Sequence, residues 1–366
     1  MKRNDDHSSK KALSVQEGLK SSHDGRKLTG KRKFKKKPRK QDIPALVETI
    51  VHGSRRELAR GITLIESRNN TDQSYAQELL QYTIGQEKRS IRIGISGVPG
   101  AGKSTFIDYF GMMLCEKGYK VAVLAIDPSS TVTGGSVLGD KTRMENLSVH
   151  PNAFIRPSPT SGTLGGVHRK TRETMQLCEA AGYDIILVET VGVGQSEIAV
   201  RNMVDFFMLL VLTGAGDELQ GMKKGIMEST DLVIVHKADG DNFRHAKRTV
   251  REYKRILHQL QPATPDWEAT ALPVSSIEHT GHEKIWEQII AFQKEMRESG
   301  YWNIRRRQQL QAWFHDMLHE AVIEQFFKEE GKKEQVQELE HAILQGNLPV
   351  RKAVEDLLQK GDFPKM

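Results

Sequence analysis

Between residues 91 and 117 an apolar run, a glycine loop and an amphipathic helix follow one another without a gap, and that succession constrains the fold more than any other feature. Ile91-Arg-Ile-Gly-Ile95 reads as a strand. Gly97-Val-Pro-Gly-Ala-Gly102-Lys103-Ser104 comes next and fits GxxxxGK[ST] at every fixed position. Thr105 to Lys117 reads as a helix, with Phe106, Ile107, Phe110 and Leu114 on one face. Glycines let backbone N–H groups turn inward around an anion, and a helix N-terminus adds partial positive charge. Gly97, Gly100, Ala101, Gly102, Lys103, Ser104 and Thr105 are therefore candidate phosphate-binding residues. In such a loop the lysine reaches the β- and γ-phosphates, and the serine hydroxyl ligates Mg²⁺.

The alternation continues beyond this unit. Val121–Ile126, Ile185–Val188, Phe206–Leu212, Leu232–Val235 and Leu272–Val274 are short apolar runs separated by helical patterns, up to about Gln288. Near-continuous apolar strands between helices predict a doubly wound, mostly parallel α/β sheet covered on both faces. Ile43–Arg60 and Gly61–Tyr82 read as two amphipathic helices before it, the second broken near Arg68-Asn-Asn70, and Trp302–Lys360 is helical in pattern after it. The expected organisation is a basic disordered tail over 1–42, a helical extension over 43–88, a nucleotide-binding domain over 89–298 and a helical segment over 299–366.

Charge separates the tail from the rest. Residues 1–40 hold 15 Lys or Arg against 4 Asp or Glu, so the remainder is mildly acidic although the chain carries +7. Lys31-Arg-Lys-Phe-Lys-Lys-Lys-Pro-Arg-Lys40 cannot bury enough apolar surface to order itself. It reads as a solvated tail, with weak contact to nucleic acid or anionic lipid as the alternative. Cys115 and Cys178 form no disulfide framework and no CxxC pair, which suits a reducing, cytoplasmic compartment. The most apolar run, Phe206–Leu212, is too short to span a bilayer.

Ligands of such sheets bind beyond the carboxyl ends of the strands. Gly97, Asp127, Glu189, Thr213, His236 and Ser275 stand at those ends. Asp127, before Pro128, suits a carboxylate that holds Mg²⁺ or its waters; a turn aspartate would look the same. Asp140 lies in the loop Gly134-Gly-Ser-Val-Leu-Gly-Asp-Lys-Thr-Arg143, which reads equally as a switch over the γ-phosphate or as an ordinary surface loop. In Glu189-Thr-Val-Gly192 the acid suits a metal-bound water and the glycine amide a γ-phosphate. Lys103, Asp127, Asp140 and Glu189 are the candidate catalytic set, and Ser104, Asp127 and Glu189 the candidate metal set.

His236-Lys237-Ala238-Asp239 resembles the guanine-reading NKxD motif with His in place of Asn. Asp239 would accept the two adjacent donors of guanine, which adenine does not offer. Lys237 would lay its stem along the base and the phosphate loop. Ser275, Ser276 and Ile277 follow the last strand and complete the candidate base site. His279-Thr-Gly-His282 reads as a loop near the base rather than a metal site, because no further His or Cys stands nearby in sequence.

With these residues in place the chain resembles the methylmalonyl-CoA mutase-associated GTPases, the MeaB or ArgK type of SIMIBI-class P-loop GTPases. The resemblance runs from about Ile43 to Asp362 and is strongest in Gly97–Thr105, Ala125–Met144, Arg156–Gly166, Glu189–Glu197 and Gly214–Gly225. It implies a GTPase, with GTP/GDP and Mg²⁺ as ligands. The same resemblance implies that it chaperones an adenosylcobalamin-dependent acyl-CoA mutase, gating cofactor loading and protecting the enzyme. Homodimerisation through the C-terminal helices is also implied. The family's older label, a transport-linked kinase, finds no kinase catalytic loop here. A nickel-delivery GTPase would need a Cys/His cluster, and two separated cysteines do not supply one. A nucleic-acid adaptor acting through residues 31–40 is a third reading. Val193 follows Gly192 where Ras-type proteins carry glutamine, so slow hydrolysis stimulated by a partner is expected.

Overall fold

The structure, a computed structural model, describes residues 41–85, 90–127, 144–159, 164–190, 195–214 and 224–359. Its centre is a parallel sheet of seven strands: β1 (Ile91–Gly97), β2 (Val121–Asp127), β3 (Ala153–Pro159), β4 (Ile185–Thr190), β5 (Phe206–Val211), β6 (Leu232–Val235) and β7 (Thr270–Pro273). Their spatial order is β3-β2-β4-β1-β5-β6-β7. β1 is the middle strand, with Ile95 opposite Glu189 of β4 and Gly97 opposite Leu210 of β5. Every residue of β4, β5 and β6 is buried, as strands covered on both faces require. β3 is absent from the strands expected above. Arg156, Pro157 and Pro159 interrupt its apolar run, and proline is tolerated because β3 is an edge strand paired with β2 alone.

Helices cover both faces. α4 (Lys103–Glu116) packs Phe106, Phe110 and Leu114 against Ile93, Ile95 and Phe206. The opposite face is covered by α1 (Ile43–Val51), α2 (Arg55–Glu66) and α3 (Asn70–Thr83); the expected junction at Arg60 and Gly61 lies inside α2, while the break expected near Arg68–Asn70 does separate α2 from α3. The extra break falls at Gly53, whose φ is +87° and therefore left-handed, and Ser54 then caps α2 by accepting the Glu57 N–H at 3.4 Å. Ile50, Leu58, Ile62 and Leu79 share one core with Leu124 and Val188 of the sheet and with Leu177 of α6 (Leu164–Ala180). Each such side chain contributes about 1.5–3 kcal/mol of burial. Residues 42 onward accordingly form one compact unit. Smaller helices α5 (Glu145–Val149), α7 (Gln195–Arg201) and α8 (Lys224–Glu228) fill the connections, while α9 (Asn242–Gln259) and α10 (His282–Glu298) flank the later strands.

The C-terminal helices are α11 (Tyr301–Lys328), α12 (Lys332–Leu344) and α13 (Val350–Gln359). The first turns of α11 dock at the amino ends of the strands. Trp302 lies 5.1 Å from the guanidinium groups of both Arg297 and Arg306. Arg306 donates to Asp205 at 2.7 and 2.9 Å and to the Ser90 carbonyl at 3.0 Å. Burial alone would raise the Asp205 carboxyl, but Arg306 and Arg92 outweigh it and hold it below the usual range. Further along α11, Leu310, Phe314, Leu318 and Val322 are exposed at four-residue spacing. No helix among the described residues is long and apolar enough to cross a membrane.

Candidate nucleotide-binding site

The phosphate loop turns out of β1 through backbone that only glycine adopts readily. Gly97, Gly100 and Gly102 have φ of +155°, +82° and +87°. A Cβ on Gly97 would stand 2.4 Å from the Leu210 carbonyl oxygen, so β5 itself forbids a side chain there. Gly102 caps α4, and a Cβ on it would meet the His236 imidazole at 2.7 Å. Lys103 is buried and donates through Nζ to the carbonyls of Gly97 at 2.8 Å and Val98 at 3.3 Å. Burial lowers its pKa, and the Glu189 and Glu197 carboxylates act in the opposite direction. Ala101 is buried inside the turn, whereas Thr105 is exposed.

Two carboxylates stand beside the loop. Glu189, buried at the end of β4, accepts the Ser104 hydroxyl at 3.3 Å. Glu197, buried on α7, accepts the Ser96 hydroxyl at 2.7 Å, and Thr190 donates to Ser96 at 2.9 Å. Sequence reasoning missed Ser96, Thr190 and Glu197. An acid in the first turn of a helix is the commonest of helix signals, so Glu197 carries no mark of its pairing 101 residues away. The backbone of Asp127 ends β2, next to β4 in the sheet, but its side chain lies outside the described structure. Asp140 and Gly192 lie outside the described residues altogether.

The base end is built on the loops after β6 and β7. His236 is buried, with Nδ1 2.7 Å from the Ala101 carbonyl and Nε2 2.8 Å from Ser276 Oγ. Burial depresses its pKa. Lys237 has φ of +57° and its carbonyl accepts Asn242 Nδ2 at 2.5 Å; Asn242 in turn accepts the Thr213 hydroxyl at 2.7 Å. The Lys237 stem runs past Gly102, with Cε 3.7 Å from where a Cβ would be. Asp239 accepts the Ser275 hydroxyl at 3.1 Å, and Ser275 also accepts the Glu278 N–H at 3.0 Å. The Ile277 side chain, between Ser276 and Glu278, is 74% exposed. His282, expected in a loop near the base, instead opens α10 and is buried against Phe106 and Tyr109. No metal-holding group of His, Cys, Asp and Glu occurs among the described residues.

Phosphate loop, paired acids and base loops thus converge on one rim of the sheet. The family model described as methylmalonyl-CoA mutase-associated GTPase MeaB matches residues 58–331, across this whole rim. The chain belongs to that family. It is 46% identical over 284 residues to the GTPase ArgK of Escherichia coli, covering 78% of this chain and 86% of the relative. It is 46% identical over 327 residues to the mitochondrial methylmalonic aciduria type A homolog of Mus musculus, covering 87% and 79%. The crystal structure of a LAO/AO transport system kinase superposes with a TM-score of 0.71 at 36% identity, covering 87% of this chain and 96% of that one. This member of the family is therefore a P-loop GTPase that binds guanine nucleotide and hydrolyses GTP.

Proposed function

We propose that this GTPase is a nucleotide-dependent switch that assists an adenosylcobalamin-dependent acyl-CoA mutase, with methylmalonyl-CoA mutase as the first candidate, in loading and protecting its cofactor. The family match over residues 58–331 carries this reading. Lys103 exchanges its carbonyl partners for β- and γ-phosphate oxygens when the nucleotide enters. Asp239 reads guanine, and His236 holds the phosphate loop in register with the base. Ser104 and Glu189 present hard oxygen donors within 3.3 Å of each other, a chemistry that fits Mg²⁺, and Asp127 is the third candidate ligand. The ion, when bound, neutralises phosphate charge. The exposed apolar residues of α11 form the seam of a homodimer. Because Val193 replaces a Ras-type glutamine, hydrolysis by the chain alone is slow and the mutase accelerates it.

Two experiments test this. Asp239→Asn should move nucleotide preference from guanosine to xanthosine diphosphate; unaltered preference refutes the base-site assignment. Purified protein loaded with GTP or GDP should capture the mutase from native extract and alter its uptake of cobalamin. Uptake indifferent to the protein in both nucleotide states would end the chaperone reading.

A further inference from the structure

We infer that Ser276 and His282 are positioning residues for guanine-nucleotide binding, because together they fix the tautomer in which His236 braces the phosphate loop. This rests on the base-site reading above. The argument is hydrogen accounting over three contacts. Ala101 O can only accept, so at 2.7 Å the His236 Nδ1 must carry the proton. A neutral His236 then has a lone pair on Nε2, which accepts the Ser276 hydroxyl at 2.8 Å. Ser276 has one proton and has used it. Its contact to His282 Nε2 at 3.2 Å therefore requires His282 to donate. The chain runs in one direction only: His282 Nε2–H to Ser276 Oγ–H to His236 Nε2, then His236 Nδ1–H to Ala101 O.

The surroundings keep it so. His236, Ser276 and His282 are all buried. Burial pushes His282 down to about 3 and also lowers His236, so both imidazoles are neutral at pH 7. His282 Nδ1 makes no hydrogen bond and is left as an acceptor, which is the less costly atom to orphan. Phe106 stacks on His282 with ring centroids 5.5 Å apart and meets His236 edge-on at 6.0 Å. Neither ring can turn freely.

Asparagine at position 236 would need none of this, because its amide nitrogen is always a donor. Neutral histidine donates at Nδ1 in only one of its two tautomers, and a group that donates to Nε2 favours that one. In the other tautomer a nitrogen lone pair would face the Ala101 oxygen and push the loop away. Ser276 and His282 thus allow histidine to stand where the motif has asparagine.

The test is a double-mutant cycle read by GDP affinity. Ser276→Ala in the otherwise native chain should weaken GDP about tenfold, the scale of one buried hydrogen bond. In a His236→Asn background the same change should cost less than about twofold, since the asparagine amide supplies the donor without help. His282→Gln, which keeps a donor, should bind GDP like the native chain, and His282→Phe should follow Ser276→Ala. Melting curves identify any variant that fails to fold, and the Ser276→Ala pair alone decides the matter. An equal loss on both backgrounds, or no loss on either, overturns the positioning role. Asp239→Asn is the separate control: xanthosine preference unchanged there refutes the base site itself, whatever the cycle gives.

Discussion

Replacing Gly102 and Gly100 by alanine, one at a time, isolates the contact that joins the phosphate loop to the base loop. Both glycines have left-handed φ, +87° and +82°, so both replacements carry the same backbone penalty of about 1–2 kcal/mol. They differ in what the new methyl meets. At Gly100 nothing lies within 4 Å; at Gly102 the methyl would stand 2.7 Å from His236 Nδ1 and 2.8 Å from Cε1. The imidazole is bonded at both nitrogens and cannot retreat without losing the Ala101 or Ser276 contact. Losing one or both adds about 1–2 kcal/mol. Gly102→Ala should therefore destabilise nucleotide-free protein by about 3 kcal/mol against ~1.5 for Gly100→Ala. At roughly 2–4 °C per kcal/mol, this puts the melting point down by about 6–12 °C and 3–6 °C respectively. Calorimetry without nucleotide is the assay, because the Gly100 methyl could touch a bound phosphate. A His236→Ala background should erase the excess at position 102. Equal decrements for the two alanines in the native background would refute the claim that His236 rests on the loop.

The remaining expectations concern stability, pH and assembly. Asp231 is buried and accepts Arg201 at 2.6 and 3.1 Å, Thr264 at 2.7 Å and the Phe207 N–H at 2.8 Å. Asp231→Ala strands the Arg201 charge and should cost about 3–5 kcal/mol in urea unfolding; an unshifted midpoint would contradict the burial of the pair. His282, held near pKa 3 when folded, gains a proton below about 6.5 only when unfolded, so stability falls with pH and is lower by about 2 kcal/mol at pH 5 than at pH 7 from this group. His282→Phe should remove that much of the slope, and an identical pH profile would show that the histidine is not buried neutral. Phe314, 64% exposed on α11, sits in the proposed dimer seam, so Phe314→Glu should halve the mass measured by light scattering; a native mass equal to one chain would remove the dimer instead.

Sequence displayed most of this architecture because its strongest signals are local. The phosphate loop is continuous in the chain, and buried parallel strands announce themselves as apolar runs. What escaped is non-local or masked by exceptions. β3 hides behind Arg156 and two prolines that only an edge strand accepts. The break after α1 depends on a single glycine inside an otherwise helical pattern. Ser96 of β1 and Glu197 of the covering helix α7 meet 101 residues apart in sequence, and no periodicity reports that. His236 was visible as a departure from asparagine, but what makes it work depends on three side chains whose orientation arises only when β6, β7 and α10 are assembled.

Polar groups also join the nucleotide rim to the far end of the sheet. Ser96, at the root of the phosphate loop, holds Glu197 on α7. One turn along the same helix, Arg201 holds Asp231 and Thr264, and Thr264 also accepts Arg305 of α11 at 3.2 Å. α7 has only seven residues and carries both of these buried anchors. Both anchors are ionic or charge-assisted in an apolar setting, where partial satisfaction is costly. A tilt that releases Glu197 from Ser96 must therefore either carry Arg201 with it or break its pair with Asp231. The response that keeps both anchors is for Arg201, Thr264 and the first turns of α11 to shift together. That shift would reach the helix whose exposed apolar face begins at Leu310, one and a half turns beyond Arg305. The contacts of Ser96 with Glu197, of Arg201 with Asp231 and Thr264, and of Thr264 with Arg305 thus form one polar chain from the phosphate loop through α7 to the C-terminal helix.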